Sequence, residues 1–291
     1  MKYFTLIIFY VVFSSCCGAK TSIENTEEKV IIATEIPKPS EQQENSETKE
    51  KNLSEKTILN ESTIEVIEPI IKHDTPLKTF NHDKFNALLK KYVSKNGNVN
   101  YKGFKNDRIL LSNYIQSLSE NTAKNDWSKE DKLAYWINAY NAMTIDFILR
   151  HYPLKSIKDI NNPWDKRYWK LGDKWYNLNE IEHEILRKMN EPRIHFAIVC
   201  ASVSCPKLQN EVFTASNLDE QLTNATKEFL ADTSKNNISE NNIKLSKIFQ
   251  WFSKDFKRNG SLIDFLNQYS DIKISAKAKK TFKDYNWGLN E

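Results

Sequence analysis

Glycine is scarce in this chain, which has 6 glycines among 291 residues. A nucleotide site of the common kinds needs a glycine-rich loop that follows a strand and holds phosphate groups with its backbone amides. The sequence contains no such loop. It therefore offers no nucleotide-binding motif, and we expect no cofactor.

Cysteine is also scarce, and the four cysteines fall in two pairs. Cys16 and Cys17 are adjacent near the N-terminus, whereas Cys200 and Cys205 lie in the C-terminal half. Neither pair has histidines at the spacing of a zinc finger or a related zinc motif. Any chemistry of cysteine in the folded region therefore depends on Cys200 and Cys205.

Aromatic residues are absent from one long stretch. Residues 18–77 contain no Phe, Tyr or Trp, although the whole chain has 15, 12 and 7 of them. The same stretch holds 13 Asp or Glu and 7 Lys. A segment so poor in large apolar side chains cannot bury enough surface to offset the entropy of ordering it. We therefore predict a disordered acidic tether over residues 16–78.

The charge of the chain is unevenly divided. The whole chain carries +4, residues 18–77 carry −6 and Lys2 adds one positive charge, so residues 78–291 carry +9. A basic domain can attract anionic partners such as an envelope polymer, although an ordinary solvated lysine-rich surface has the same composition. No run of Lys and Arg is interleaved with aromatic residues, so we expect no nucleic-acid partner.

No apolar run is long enough to span a bilayer, but a shorter one stands near the N-terminus. Lys2 precedes an apolar run over residues 3–13, and small residues follow, which is the layout of a signal peptide. Phe13-Ser14-Ser15-Cys16 resembles the bacterial lipoprotein signal. We predict a signal peptide over residues 1–15 and a lipid on Cys16 that anchors the chain to a lipid bilayer. The expected location is the bacterial cell envelope, periplasmic or surface-exposed, with plain secretion as the alternative.

The pattern changes at residue 79, from which we predict one globular domain to residue 291. Its fold class is α+β, helix-dominated, with a small β-sheet. Helical spacing of apolar residues is found near residues 83–94, 107–118, 128–148, 179–189, 218–231, 247–256 and from 261 onward. Extended pieces are predicted at residues 99–101, 194–201, 243–245 and 272–275, with a hairpin over 168–176.

The strongest local signal is the helix that begins at Ser128. Ser128 and Asp131 have the spacing of a capping box, and apolar residues follow on one face. Asn141 lies on that face, and Asn138 lies to one side of it. A buried Asn costs free energy unless its amide is hydrogen-bonded. We therefore expect the two Asn side chains either to orient a site residue or to clamp the backbone of a loop.

Residues 193–206 hold one of the five histidines and both cysteines of the folded region. We interpret them as a buried strand over residues 194–201 that runs into a turn at Pro206. In a regular strand His195 and Cys200 point to opposite faces, whereas Cys205, beyond the strand end, is free to fold back.

A histidine beside a cysteine can generate the thiolate that nucleophilic catalysis needs. The favoured pair is His195 with Cys205. The backbone amides of Ser202 or Ser204 are the candidate oxyanion donors, and Asn138 or Asn141 is the candidate orienting group.

Three other interpretations of this segment stay open. Cys200 and Cys205 are close enough in sequence to form a small disulfide in an oxidising compartment. Cys200 can also be a small buried apolar residue. Metal binding by the two cysteines, His195 and His183 is a further alternative, without supporting spacing. His183 is otherwise expected to lie on the polar face of its helix.

Several segments together resemble a known family. Residues 135–142, 178–183 and 195–206 are similar, in this order, to segments of a bacterial and plant family known as domain of unknown function 547. Residues 245–251 and 285–290 are similar to its closing segments, so the resemblance covers residues 80–290. It implies no activity, and it includes His195, Cys200, Cys205, Asn138 and Asn141 without giving them roles. The family commonly has Asp where this chain has Asn286.

Two functions are compatible with these features. The first is a cell-envelope lipoprotein that acts as a cysteine-dependent hydrolase or acyl or peptidyl transferase on an envelope peptide. The second is a non-catalytic binding or scaffolding lipoprotein with a structural Cys200–Cys205 disulfide, whose partner is an envelope peptide or an anionic polymer. The reactivity of the two cysteines distinguishes these hypotheses.

Overall fold

Helices form most of residues 79–291, which is the part of the chain that the computed structural model describes. The helix-dominated α+β class is confirmed, because the strands are few and short. The predicted signal peptide at residues 1–15, the lipidation site Cys16 and the predicted tether at residues 16–78 lie outside the described residues.

The elements follow one another along the described chain in this order. The helices are α1 Asp83–Tyr92, α2 Tyr101–Phe104, α3 Arg108–Glu120, α4 Lys129–His151, α5 Leu178–Glu180, α6 Leu218–Ala231, α7 Ile248–Trp251, α8 Ser253–Phe256 and α9 Leu262–Tyr269. The strands are β1 Trp169–Leu171, β2 Lys174–Tyr176, β3 Asn237–Ile238, β4 Asn242–Leu245 and β5 Lys279–Phe282.

The central element is α4. The Ser128 hydroxyl accepts a hydrogen bond from the Asp131 amide at 3.0 Å, so the predicted cap is confirmed. The sequence predicted one buried face, but every residue from 133 to 149 is buried. Small and apolar side chains on the remaining faces allow other elements to pack around the helix on all sides.

The two sheets are small. β1 and β2 form the predicted hairpin, with Gly172 at the turn in a left-handed conformation, φ 58°. In the second sheet β4 lies in the middle, antiparallel to β3 and parallel to β5. The strand predicted at residues 272–275 is wrong. The Asn267 side chain satisfies both backbone groups of Ile274 there, at 2.7 and 3.0 Å, so the segment needs no strand partner.

The strand predicted at residues 194–201 is also wrong. A 3₁₀ turn, Pro192–Phe196, begins this segment, and irregular backbone follows. Pro192 fixes a helical φ at the first position, and the Glu191 carboxylate accepts from the Arg193 amide at 3.2 Å, which favours a helical turn. The reasoning that placed His195 and Cys200 on opposite faces of a strand therefore does not apply.

The helix predicted from residue 179 begins slightly earlier and is irregular. Asn177 caps α5 by accepting from the Glu180 amide at 2.7 Å. The chain continues as a π-helical turn, Ile181–Ile185, and then as a 3₁₀ turn, Leu186–Met189. π-Helical turns are rare and often occur at functional sites. This one contains Glu182 and His183, and both side chains face the cavity described below.

Two apolar clusters form the interior. One surrounds α4, and the other joins α6 to β4 and to the helices α7, α8 and α9. Phe196 belongs to the second cluster, whereas its neighbours Ile194 and Ala197 belong to the first. The segment that carries His195 therefore lies between the two clusters. Within residues 79–291, no helix is both long and apolar enough to cross a bilayer.

Candidate functional site

A cavity of about 350 Å³ lies where the irregular segment after Pro192–Phe196, the π-helical turn and the C-terminal tail meet. Of the residues predicted from the sequence, His195, Cys200 and Cys205 all line it. Asn138 and Asn141 do not. A larger groove of about 960 Å³ beside β3 and β4 has neither His nor Cys among its described lining residues, so the smaller cavity is the candidate site.

Three hydrogen-bond donors converge on the sulfur of Cys205. The Cys200 backbone amide lies 3.0 Å from this sulfur, the Ser202 hydroxyl 3.2 Å and the Tyr285 hydroxyl 3.3 Å. A negative charge on sulfur is stabilised when several donors point at it. The geometry therefore favours the thiolate form of Cys205.

Each proton in this cluster can be given one acceptor. The Ser202 hydroxyl has a single proton, which can go to the Cys205 sulfur or to the Tyr285 oxygen at 3.1 Å, and a charged sulfur is the stronger acceptor. The sulfur of Cys200 lies 3.5 Å from the Ser202 oxygen and 3.4 Å from the Tyr285 oxygen, and its thiol proton is directed at the Cys205 sulfur. Tyr285 gives its proton to Cys205. In this arrangement Cys200 is the protonated cysteine and Cys205 is the thiolate.

The acidities agree with this assignment. Burial acts to raise the pKa of Cys205, but the hydrogen bonds from Cys200, Ser202 and Tyr285 outweigh it and lower the pKa to about 6. The hydrogen bond to Cys205, together with burial, raises the pKa of the Cys200 thiol well above its ordinary value. Burial and the two nearby sulfurs raise the pKa of Tyr285, which therefore remains a protonated donor.

The turn that carries Cys205 is held by the C-terminal tail. The Val203 amide donates to the Gly288 carbonyl at 2.8 Å, and the Ser204 amide donates to the Asn286 carbonyl at 3.2 Å. The Ser204 amide is therefore occupied, and the prediction that it serves as an oxyanion donor is wrong. Ser202 contributes through its hydroxyl, which bonds to the Cys205 sulfur.

His195 is paired with a carboxylate instead of a cysteine. Its Nε2 lies 2.9 Å from Asp255 Oδ2, and its ring stacks on Phe252 with centroids 3.9 Å apart. No hydrogen bond joins His195 to either sulfur in the described part of the chain. The predicted His195–Cys205 dyad is therefore not formed, because Asp255 holds the imidazole by its Nε2.

Asp255 is strongly anchored. Arg187 donates to both of its carboxylate oxygens, at 2.6 and 3.2 Å. Burial opposes ionisation, but the hydrogen bonds from His195 and Arg187 hold the pKa of Asp255 well below its usual range. Burial lowers the pKa of His195, so this imidazole is neutral, with its proton on Nε2 toward Asp255. Its Nδ1 is then the nitrogen with a free electron pair.

His183 is not simply solvated on a polar helix face. Its Nδ1 lies 2.7 Å from Arg187 Nη1, and its side chain lines the cavity. Arginine is always a donor, so Nδ1 accepts and the proton of the neutral ring is on Nε2. Burial, with the charge of Arg187 as a second cause, lowers the pKa of His183 and favours this neutral form.

Asn141 and Asn138 clamp backbone, as one of the two interpretations predicted. Asn141 donates to the Ala197 carbonyl at 2.9 Å and accepts from the Val199 amide at 3.0 Å. Asn138 bonds in the same two ways to the backbone of Phe213, at 2.7 and 3.0 Å. Neither orients His195. Asn141 thus provides the backbone of the irregular segment before Cys200 with the hydrogen-bond partners that a neighbouring strand would provide in a sheet.

Sequence reasoning did not identify Glu182, although it lies in a segment that carries the family resemblance. This carboxyl is 9% exposed, lines the cavity and accepts from the Tyr140 hydroxyl at 3.2 Å. Burial raises the pKa of Glu182 to about 7, against the effect of the Tyr140 hydrogen bond, and the negative charge of Cys205 adds to the rise. Glu182 can therefore both donate and accept a proton near neutral pH.

Sequence reasoning also did not identify Asp255 or Tyr285 as partners of the predicted residues. They lie 60 and 80 positions from His195 and Cys205, respectively. Nothing in the local pattern marks them. The two aromatic-rich segments around them, residues 249–256 and 285–287, were the available signals.

The outer part of the cavity is aromatic. Trp164, Trp251 and Trp287 line it, and Trp251 is 46% exposed. The rings of Trp251 and Trp287 stack with centroids 5.8 Å apart, and Tyr285 contacts both. The exposed side chains of Asp165 and Asn179 complete this rim. The site thus has a polar, buried floor and an aromatic mouth.

Two alternatives for the cysteines can be compared with the structure. Cys200 and Cys205 are both free, so the predicted disulfide is not formed here. Across residues 79–291, no group of three or more His, Cys, Asp and Glu side chains is arranged to hold a metal ion. What the cluster offers is a stabilised thiolate beside a carboxyl that titrates near neutrality.

Part of the chain matches a known family model. Residues 124–230 match the model of a family described as "Protein of unknown function, DUF547", so this part of the chain is similar to that family. The match supports the resemblance seen in the sequence over these residues. It includes Glu182, His195 and both cysteines, and it ends before Asp255 and Tyr285. Comparisons with curated proteins and with solved structures gave no match.

Proposed function

We propose that this protein is a cysteine-dependent acyl transferase or hydrolase of the bacterial cell envelope, acting on a peptide or amide bond with Cys205 as nucleophile. The observation that carries the proposal is the convergence of three donors on one cavity-lining sulfur. A thiolate is the nucleophilic form of cysteine, and these donors favour it near neutral pH.

In the first half of the reaction, the Cys205 thiolate attacks the carbonyl carbon and an S–C bond forms. Negative charge moves from sulfur to the carbonyl oxygen. The donors that stabilised the thiolate, the Cys200 amide and the Ser202 and Tyr285 hydroxyls, are then close to the new oxyanion. When the C–N bond breaks, neutral Glu182 gives its proton to the departing amine, which leaves an acyl-Cys205 thioester.

In the second half, the Glu182 carboxylate takes a proton from the acceptor, which is water in a hydrolase and an amine in a transferase. The acceptor attacks the thioester, and Cys205 leaves as a thiolate. A pKa of about 7 suits Glu182 for both proton transfers. His195, held by Asp255 with Nδ1 unprotonated, is a second group in the cavity that can accept a proton.

The first test measures thiol reactivity. The full-length chain, purified without reductant, is treated with iodoacetamide across pH, and each cysteine is read by peptide mass spectrometry. We expect Cys205 to react with a midpoint near pH 6, well below the ordinary cysteine value of about 8.5. Cys200 is expected to stay unreacted over this range. An intact Cys200–Cys205 disulfide would instead support the non-catalytic binding function.

The second test measures acyl transfer. The activated ester p-nitrophenyl acetate is mixed with the protein, and the release of p-nitrophenol and the mass of the Cys205 peptide are followed. We expect a burst of p-nitrophenol and an acetylated Cys205, both absent in Cys205→Ser. Cys200→Ser is the matched control and should keep the acyl-enzyme. A Cys205→Ser protein that gives the same burst would rule out this nucleophile.

We further propose that Cys16 carries a lipid that holds the protein in the cell envelope. The support is the sequence of residues 1–16. An alkyne-tagged fatty acid fed to a bacterium that expresses the full chain should label the wild type and the Cys17→Ser variant, but not Cys16→Ser. Labelling of the Cys16→Ser variant would contradict the assignment.

A further inference from the structure

The charge of the cavity differs from that of the surrounding domain. Residues 78–291 carry +9, yet among the residues that the structure describes no Lys or Arg lines the cavity. Its ionisable lining groups are acidic or neutral: Asp165, Glu182 and Cys205 can be anionic, and His183 and His195 are held neutral. An anionic group entering here would meet like charges in the lining itself, which disfavours its binding. The nearest cations, Lys158 and Arg187, contact lining rings but do not line the cavity.

The aromatic mouth has the opposite preference. The face of an aromatic ring attracts a cation, and Trp attracts it most strongly. This property is already used in the immediate surroundings, because Lys158 Nζ lies 5.1 Å from the centre of the Trp287 ring and the Arg187 guanidinium lies 5.3 Å from that of Phe252. Three Trp side chains at the mouth of one cavity therefore favour the binding of a cationic ligand over an anionic one.

The floor of the cavity offers an acceptor for such a group. Glu182 Oε2 receives the Tyr140 hydroxyl, whereas Oε1 has no hydrogen bond within residues 79–291. The side chain is buried and faces the cavity, so the free oxygen of its carboxylate is available to an incoming donor. At the rim, the Asp165 carboxylate likewise makes no hydrogen bond or ion pair to the described residues. A donor that enters past the Trp residues meets carboxylate oxygens on its way.

We infer that the acyl acceptor of this site is a primary amine, taken up as its ammonium ion through the aromatic mouth, so that the enzyme forms an amide in preference to hydrolysing its thioester. The inference rests on the proposed acyl-transfer function. In the step itself, one ammonium proton passes to the Glu182 carboxylate, and the free amine attacks the acyl-Cys205 carbon. A C–N bond forms, the C–S bond breaks with return of the Cys205 thiolate, and the second proton leaves to solvent.

Binding is tested separately from chemistry, on the full-length Cys205→Ser protein. Calorimetry and tryptophan fluorescence follow titration with n-butylammonium, and with butan-1-ol, butyrate and the neutral trisaccharide of N-acetylglucosamine. We expect saturable binding of n-butylammonium at least tenfold tighter than that of the other three. Asp165→Asn and Trp251→Leu should each weaken it severalfold. Asp173→Asn and Trp175→Leu, exposed and outside the cavity, are the matched controls.

Transfer is tested on the full-length wild type with p-nitrophenyl acetate as acyl donor and n-butylamine as acceptor. We expect N-butylacetamide to exceed acetate, with a saturable dependence on amine that Trp251→Leu shifts to higher concentration. Acetylated Cys205 that yields only acetate would overturn the amine inference and leave the proposed function standing. Preferred binding of butyrate or the trisaccharide would also overturn the inference. Ammonium binding without any acetyl-Cys205 would overturn the proposed function instead.

Discussion

The ionisation of Cys205 is set by single atoms on residues far apart in the chain. The Tyr285 hydroxyl is one of them, and it stays protonated because burial and two sulfurs raise its pKa. The Ser202 hydroxyl and the Cys200 amide complete the set. Cys200 thus has two roles: its amide stabilises the neighbouring thiolate, and its own thiol remains protonated.

Glu182 allows a prediction about stability and pH. Its pKa in the folded protein is raised to about 7 from an ordinary 4.5, so folding favours the neutral carboxyl. The associated stability is fully present below pH 4.5 and is lost as the pH rises through 7. Gln is neutral at every pH, so Glu182→Gln does not lose this stability. The free energy of unfolding of the variant minus that of the wild type should therefore be about 3 kcal/mol larger at high pH than at low pH.

The measurement is urea unfolding of the wild type and Glu182→Gln at a series of pH values from about 4 to 8. The difference between their unfolding free energies should change steadily with pH in favour of the variant. Glu184→Gln is the control, since Glu184 is exposed and pairs with Lys188 on the surface. A difference that stays constant with pH would show that Glu182 is ionised in the folded state as in the unfolded one.

At the scale of elements, α4 is the element that holds the irregular segments in place. Its two Asn side chains each take one donor and one acceptor from a different loop, at Ala197–Val199 and at Phe213. The loops have no strand partners at these points. The helix thus provides the backbone hydrogen bonds that a sheet would otherwise provide. Of the two loops, the one held by Asn141 leads directly to Cys200.

This difference between the two clamps gives a paired prediction. Asn141→Leu and Asn138→Leu should each lower the free energy of unfolding by about 2–4 kcal/mol, because each leaves a buried amide and a buried carbonyl unpaired. Only Asn141→Leu should also raise the pKa of Cys205, because Asn141 holds the backbone of Val199, and the amide of the next residue, Cys200, donates to the Cys205 sulfur. Chemical unfolding and the pH dependence of Cys205 alkylation measure the two effects. An equal shift of the alkylation midpoint in both variants would contradict the specific role of Asn141.

Elements governed by local spacing could be predicted from the sequence. The helix at residues 218–231 has the predicted bounds, and the Ser128 cap and the turn at Gly172 are where they were expected. The run from Ile194 to Ala201 could not be distinguished from a buried strand, because a buried strand and a buried irregular segment can have the same continuous apolar sequence. Its first part follows the local turn set by Glu191 and Pro192, and its irregular second part is held by Asn141, more than 50 positions away.

The candidate site was predictable only in part for the same reason. His195, Cys200 and Cys205 were identified because they are uncommon residues close together in the sequence, and the cavity contains all three. Their actual partners, Asp255 and Tyr285, come from distant segments that fold back on them. Ser204 was expected to offer a free amide, but residue 286 of the tail occupies it.

At the scale of the whole described molecule, the C-terminal tail closes the structure. Ser156 and Ser202 form bridges to Gly288 and Leu289, and the Val99 amide donates to the Asn290 carbonyl at 2.8 Å. Three segments that are distant in sequence are thereby joined at one place. The match to the DUF547 family ends at residue 230, so the tail lies outside it. The same tail provides Tyr285, which donates to the Cys205 sulfur, and connects separate segments of the matched part.

Asn290 tests this joining role. Its side-chain oxygen accepts from the Tyr101 hydroxyl at 2.8 Å, in a site where the Tyr101 side chain is almost completely buried. Asn290→Ala leaves that hydroxyl without a partner, and we expect a loss of about 1–3 kcal/mol in the free energy of unfolding, measured with urea. Adding Tyr101→Phe removes the orphaned hydroxyl, so the double variant should recover part of the loss.

The neighbouring residue supplies the control for Asn290. Glu291 pairs with the Tyr152 hydroxyl at an exposed position, so Glu291→Ala should change the free energy of unfolding by no more than about 0.5 kcal/mol. Because the tail also holds the turn at residues 202–204, Asn290→Ala should raise the alkylation midpoint of Cys205, and Glu291→Ala should not. If Asn290→Ala were as stable as the wild type, the contacts of Asn290 would contribute nothing to the stability of the domain. The position of Tyr285 would then have to depend on other contacts.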